Sequence, residues 1–445
     1  MEKNKTPLKN LLTAYGQFFQ KIGGELIVFA IIIGLYYESL TTNYRLMFTQ
    51  YIPLENLPFF DLNIIFSLYT IAGTLLALAS ILYIWSYGHN NKKIKYIVLI
   101  FLFSLQIPLV INILQEKANR RPLLFINDSG VQSEIATDFI LSGKDPYQKN
   151  YHQTILGQKF DQIGWISLGQ RYKVPNPALT SYAYMPLSFL LPLPIKMISD
   201  AVWHFYDQRL FLALCYLLTI WIVYRLSGYK KNKFVFLIFM LFNPLLLEQI
   251  WFGFNDIGGL MFLLLAILLL KKQRFKGAVA AVALAALYKQ NFIFYWPFFL
   301  FYIYLKEVKN IKQVSRLWPY IVIMAGLTIA VIGPFVFWHD SAFWHDTIYY
   351  LGHEYPARGI GLAGLLLQLR VIKSPFAYYN FALWQIAYIL LILPWLLKQQ
   401  IKNNSPAKVY LYGTILMGGV WFLSRYFHES HFNFILTSFL IYLFL

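Results

Sequence analysis

A single cysteine, Cys215, stands in 445 residues, which excludes any intrachain disulfide and any cysteine-pair metal or redox centre. Charge is scarce too. Asp, Glu, Lys and Arg make up 13% of the chain against 58% apolar residues, too little polar surface for a soluble globule. Acids are the scarcer kind, 20 against 38 basic residues, leaving a formal charge of +18. That excess would suit nucleic acid if the cations shared one face. They are instead dealt out in small groups between apolar runs, so no nucleic-acid partner is expected. No G-x-S-x-G elbow and no G-x-x-x-x-G-K-[ST] loop occurs, which removes the sequence basis for a serine hydrolase or an ATP-driven pump.

What is present is a rhythm of apolar runs, most of them long enough for about 30 Å of hydrocarbon. Spans are expected at 25–40, 62–85, 94–114, 209–226, 233–251, 256–271, 277–288, 291–305, 317–338, 378–398, 407–424 and 431–445. The expected fold is therefore all-α, a polytopic membrane protein of about 12 transmembrane helices forming one membrane domain over residues 25–445. Residues 1–24 are basic and lack a small-residue cleavage site, and Leu8, Leu11, Leu12, Tyr15, Phe18 and Phe19 share one helical face. They read as a cytoplasmic amphipathic lead into an uncleaved first span.

Placing the start inside puts the clusters Lys92/Lys93, Lys230/Lys231, Lys271/Lys272, Lys309/Lys312 and Lys398/Lys402 in inner loops, as positive-inside patterning requires. Nearly every acid then falls outside, including Asp128, Glu134, Asp138, Asp145, Asp256, Asp346, Glu354 and Glu429. The apolar stretch 184–198 is broken by Pro186, Pro192 and Pro194, and counting it as a span would invert every later loop. It is read as re-entrant or interfacial. Lys289, Gln290 and Asn291 then form an outer turn between two short spans.

The long outer loop, residues 115–182, is the least apolar part of the chain and the expected seat of chemistry. Asn127-Asp128-Ser129-Gly130 precedes apolar residues at Val131, Ile135 and Phe139, then Gly143-Lys144-Asp145-Pro146-Tyr147, the pattern of a capped interfacial helix ended by glycine. Asp128 or Ser129 then serves either as a plain N-cap, with Ser129 and Gln132 as a capping box, or as a catalytic group. Lys289 admits two readings as well, a snorkelling lysine at a helix end or a functional cation.

These motifs, followed by Tyr184-Met185-Pro186-Leu187, Asn243-Pro244, Gly253-Phe254-Asn255-Asp256 and Leu287-Tyr288-Lys289-Gln290 with Pro297, give the chain its likeness over roughly residues 120–305. In their order they resemble the glycosyltransferase-C superfamily, nearest its polyprenol-phosphate-mannose-dependent mannosyltransferase branch. The acidic loop follows the third expected span here, whereas in the family it usually follows the first, and the family's second loop acid has three candidates in Glu134, Asp138 and Asp145.

The resemblance implies an inverting hexosyltransferase that moves a sugar, mannose above others, from a polyprenyl-phosphate donor to a lipid or glycan acceptor among membrane lipids on the extracytoplasmic face of the cell membrane. It implies Asp128 as the base, Lys289, Arg358 and Arg425 as cations for the lipid phosphate, and Asp256, Gln290, His428, Glu429 and Tyr147 as substrate contacts. A transporter or lipid-glycan flippase has the same composition, but it calls for polar groups near the bilayer midplane or inverted repeats.

Two further stretches carry alternatives. Arg358-Gly359-Ile360-Gly361-Leu362-Ala363-Gly364 matches G-x-G-x-x-G with no strand-helix-strand unit around it, so a dinucleotide site is rejected, leaving a phosphate cradle or a plain hinge. In Arg425-Tyr426-Phe427-His428-Glu429-Ser430-His431 the two histidines lie three apart, but no third ligand is fixed. No metal site or cofactor is assigned, and a divalent metal stays open.

Overall fold

The structure, a computed structural model, describes residues 126–167, 170–226, 240, 246, 249–250, 252–308 and 311–445. The chain divides into two compact units, residues 1–116 with 231–247 and residues 117–230 with 248–445. Of the first unit only Met240 and Leu246 are described, so the amphipathic lead and the expected spans at 25–40, 62–85, 94–114 and most of 233–251 lie outside the described residues. The second unit carries every candidate site residue.

That unit is mostly helical. It runs α1 (Asp128–Leu141), α2 (Ile155–Lys159), α3 (Leu187–Leu190), α4 (Leu193–Trp203), α5 (Gln208–Leu226), α6 (Asp256–Lys271), α7 (Phe275–Tyr288), α8 (Trp296–Glu307), α9 (Trp318–Trp344), α10 (Leu362–Gln368), α11 (Phe381–Lys402), α12 (Pro406–Phe422) and α13 (Glu429–Tyr442). Helices α5 to α9 and α11 to α13 overlap the apolar runs expected from residue 209 onward, and α10 lies in none of them. Two small sheets depart from the all-α expectation. Strands β1 (Gln162–Ser167) and β2 (Gln170–Pro175) form an antiparallel hairpin inside the long loop, and β3 (Arg358–Gly359) pairs in parallel with β4 (Tyr426–Phe427).

Helix α6 is apolar on every side and is buried on nearly every side, which marks it as the centre of the bundle. It stops at Lys271-Lys272, where Gln273 takes a left-handed conformation (φ 58°) and turns the chain into α7. Alanines at 278, 281, 283, 285 and 286 are all buried in α7, and such small side chains let two helices approach closely. At the periphery the pattern reverses. Among the described residues three helical stretches are long and apolar enough to cross a membrane: Gln208–Leu226, Gln313–Glu354 and Phe381–Lys402. Half of the apolar window is buried in the first but only 11% in the other two. Side chains such as Ile329, Phe337, Leu390 and Leu391 stand exposed there, in a band no water-facing helix would carry.

The proline-broken segment forms α3 and α4, separated at Pro192. With 11 residues α4 is about 16 Å long, roughly half a bilayer core. The long loop has its own aromatic core, in which Tyr147 packs edge-on against Tyr182, Phe189, Phe335 and Phe343.

Candidate functional site

Two helices begin side by side. Asn127 caps α1 by accepting the Ser129 amide (3.0 Å), and its own backbone N–H donates to Phe252 O (2.6 Å) just ahead of α6. The approach is close enough that a Cβ on Gly130 would stand 3.0 Å from Gly253 O, and Gly253 itself is left-handed (φ 70°), so both positions favour glycine. Asn255 at the start of α6 donates to Ser133 Oγ on α1 (2.9 Å). Each helix thus opens on Asn-Asp-x-Gly, with an aspartate in the first turn where the free amides favour negative charge.

The structure corrects the capping expectation. The cap is Asn127, Asp128 is the first helical residue, and Gln132 donates away from the helix end, to Ala178 O (2.6 Å) and Ser181 O (2.8 Å). Asp128 is half-buried. Its Oδ1 accepts the Ser129 amide (2.8 Å), and its Oδ2 accepts from the buried Asn176 Nδ2 (2.9 Å), while Asn176 Oδ1 is held by the Ala178 amide. The carboxylate therefore has a fixed orientation and a face toward solvent.

A second charged group is Arg358, half-buried on β3. The guanidinium carbon is 5.3 Å from the Tyr355 ring centre and 5.0 Å from that of Tyr426, and Nη2 donates to Tyr355 Oη (2.6 Å). Burial pulls the Arg358 pKa down, but Tyr355, Tyr426 and Asp128 more than offset it, and the net shift is upward. Burial likewise raises the Tyr184 hydroxyl, with the Asp128 charge adding to it and a bond to Ser129 opposing it. Asp128, Tyr184, Arg358, Tyr355 and Tyr426 thus share one electrostatic environment.

The third charged centre is closed. Asp256 and Lys289 are both buried and form an ion pair, and Lys289 Nζ lies 5.8 Å from the ring centres of both Tyr184 and Trp421. Lys289 sits in extended conformation at the turn between α7 and the 3₁₀ segment Gln290–Tyr295, where the hairpin was expected. Gln290 braces that turn, donating to Ala183 O (2.8 Å) and Thr347 O (3.3 Å).

Three expected site residues are placed in structural roles. Arg425 is 2% exposed and spends its guanidinium on backbone carbonyls, Nε on Tyr355 O, Nη1 on Ala377 O (3.2 Å) and Nη2 on Pro375 O (3.1 Å), with burial lowering its pKa. Tyr147 is 3% exposed, and its hydroxyl holds Tyr184 O (2.8 Å). His428 caps α13: its Nδ1 accepts the Ser430 amide (3.4 Å) while its own N–H donates to His431 Nδ1 (3.2 Å). Those two Nδ1 atoms are therefore engaged in a capping box, which accounts for the spacing that suggested a metal. Glu429 opens α13, and its side chain lies outside the described residues. The glycine cradle is also occupied by backbone, since the Arg358 and Ile360 amides donate to Arg425 O (3.1 Å) and Phe427 O (2.9 Å).

The three candidates for a second loop acid are engaged elsewhere: Asp145 with His339 Nδ1 (2.9 Å), Asp138 with Lys196 (2.8 Å) and Glu134 with the Gln208 amide (3.2 Å). Asp256, outside the loop, is the acid that shares Tyr184 with Asp128. Sequence reading missed Asn176 as a partner of Asp128, although asparagine beside Pro175 and Pro177 is a turn signature. It also did not assign Tyr355 and Tyr426 as the ring partners of Arg358, although Tyr426 lies in the Arg425–His431 stretch. No protein-family model, curated protein or solved structure matches the chain.

Proposed function

We propose that the chain is a polytopic membrane glycosyltransferase of about 12 spans that moves a hexose, mannose above others, from a polyprenyl-phosphate donor to a lipid or glycan acceptor on the extracytoplasmic face of the cell membrane. The observation that carries this reading is a half-buried, doubly oriented carboxylate, Asp128, in the same electrostatic environment as a half-buried arginine, Arg358, held between two tyrosine rings. A sugar phosphate needs both: a base where the incoming hydroxyl loses its proton and a cation where the leaving phosphate gains charge.

In the proposed step the acceptor hydroxyl oxygen attacks the anomeric carbon, and Asp128 takes the hydroxyl proton. The bond from the anomeric carbon to the phosphate oxygen breaks, and the electron pair leaves with the phosphate. A single displacement inverts the anomeric centre. Arg358 faces the leaving oxygen, a bidentate fork suited to phosphate, while Arg425 holds the strand that carries Arg358. Lys289, balanced by Asp256, lies beside Tyr184 and Trp421 and braces that side of the site.

The test is release of polyprenyl phosphate by the purified protein from a panel of polyprenyl-phosphate hexoses in the presence of membrane-lipid acceptors, with Asp128→Asn alongside. Release that depends on Asp128 supports the reading. Equal release by Asp128→Asn, or none across the panel from folded protein, overturns it.

A further inference from the structure

The connection between Glu354 and Phe381 starts where one helical stretch long and apolar enough to cross a membrane ends, and ends where the next begins. It is folded in its own right. Ala357, Ala363, Leu367, Ile372 and Phe381 form a small core, and Arg425 ties the segment down through Tyr355, Pro375 and Ala377. Its outward face is of another kind. Leu369 (64% exposed), Val371 (57%), Phe376 (51%) and Tyr378 (70%) project from it, with Arg370 and Lys373 exposed among them. No acid occurs from 355 to 380.

One position shows that a cation is favoured there over the easier residue. The end of α10 is a Schellman turn in which the Arg370 amide donates to Leu367 O (3.0 Å) and the Val371 amide to Leu366 O (2.9 Å), leaving Arg370 left-handed (φ 59°). Glycine is the usual occupant of that position, because a side chain there is strained. Here the strained position holds an arginine at the tip of an apolar, acid-free face.

We propose that the 369–378 face docks onto an anionic phospholipid surface, with Arg370 and Lys373 on lipid phosphates and Leu369, Val371 and Phe376 in the acyl layer. Its two ends fix it at the level where two spanning-length helices stop, and its charge is complementary to such lipids. Because Arg358 stands on the first strand of this segment, docking also fixes the depth of that arginine. The proposal does not depend on the transferase reading.

The test needs no activity. Cys215 is buried, so Val371→Cys can be labelled with an environment-sensitive fluorophore and the full chain placed in nanodiscs of phosphatidylcholine alone or mixed equally with phosphatidylglycerol. The expected result is blue-shifted emission that brominated acyl chains quench. Native mass spectrometry should show retention of phosphatidylglycerol falling about fivefold on Arg370→Gly and again on Lys373→Gln. Arg370→Gly relieves the left-handed strain, so its melting temperature should hold or rise and the loss cannot be put down to unfolding. Water-like emission in both nanodiscs, quenching that appears only when two copies share a disc, or lipid retention unchanged by both substitutions overturns the proposal.

Discussion

The two helix starts at the centre of this molecule carry the same local chemistry and meet opposite fates. Asn127-Asp128-Ser129-Gly130 and Asn255-Asp256-Ile257-Gly258 each open a helix with an acid in the first turn, a few residues on either side of the Gly130 and Gly253 contact. Asp256 is 2% exposed and neutralised by Lys289. Asp128 is half-buried, is oriented by Asn176 and an amide, and forms no ion pair among the described residues. Helix termini made both carboxylates welcome; the tertiary partner decided which one stays available to a substrate. A base has to be the open one, and a buried pair is the better brace.

The largest expected effect breaks this comparison at its open side. Asp128→Asn keeps size but not basicity, and sets an amide NH2 against either the Ser129 amide or Asn176 Nδ2, so transfer should fall by about 10²–10⁴-fold with only a small drop in melting temperature, read as polyprenyl phosphate released per enzyme. Asp256→Asn with transfer more impaired than in Asp128→Asn would reverse the assignment of the two acids.

Next comes the closed side. Lys289→Met leaves Asp256 buried without its counter-charge, which should cost about 3–5 kcal/mol of stability. Adding Asp256→Asn should return most of it, since the pair is then replaced rather than broken. Denaturation of the three variants in one detergent checks the cycle, and a double variant as unstable as the single one would deny that the ion pair is what Lys289 supplies.

The contact between the two starts gives a smaller effect. Gly130→Ala puts a methyl group against Gly253 O and Cα, backbone atoms with no rotamer to yield, and should cost about 1–3 kcal/mol. Because the shift moves both helix starts, kcat should fall along with stability; a variant that melts earlier but turns over normally would show that the spacing of the two acids is not critical.

How much of this was legible follows from where each signal lives. Apolar runs report the helices, and α6 was bounded to the residue because Asp256 and Lys271-Lys272 punctuate it at both ends. The hairpin β1–β2 was missed although Ile163/Trp165 and Tyr172/Val174 alternate with polar residues or glycine, because two short strands inside a polar loop give a weak signal beside the long apolar runs. Candidate acids and cations were visible as residue types, but their state was not. Arg358 and Arg425 are equal in sequence terms, and only the fold sets one between the Tyr355 and Tyr426 rings and makes the other a staple for three carbonyls. Asn176 illustrates the same limit, since its contact with Asp128 joins positions 48 residues apart.

That contact supplies the smallest prediction and the sharpest one about the open carboxylate. Asn176 Nδ2 is the only side-chain donor seen on Asp128 among the described residues, and Asn176 is itself fixed by the Ala178 amide. Asn176→Ala removes one charge-assisted hydrogen bond and lets Asp128 rotate away from an attacking geometry without removing the base. At about 1–1.5 kcal/mol for such a bond, kcat should fall about tenfold while KM for the donor stays put, because Asn176 has no part in holding the phosphate. Asn176→Asp would set a second negative charge against Asp128 and should do worse than alanine. If alanine and aspartate cost the same, Asn176 matters for the fold of the loop alone, and the orientation of Asp128 must come from its helix start.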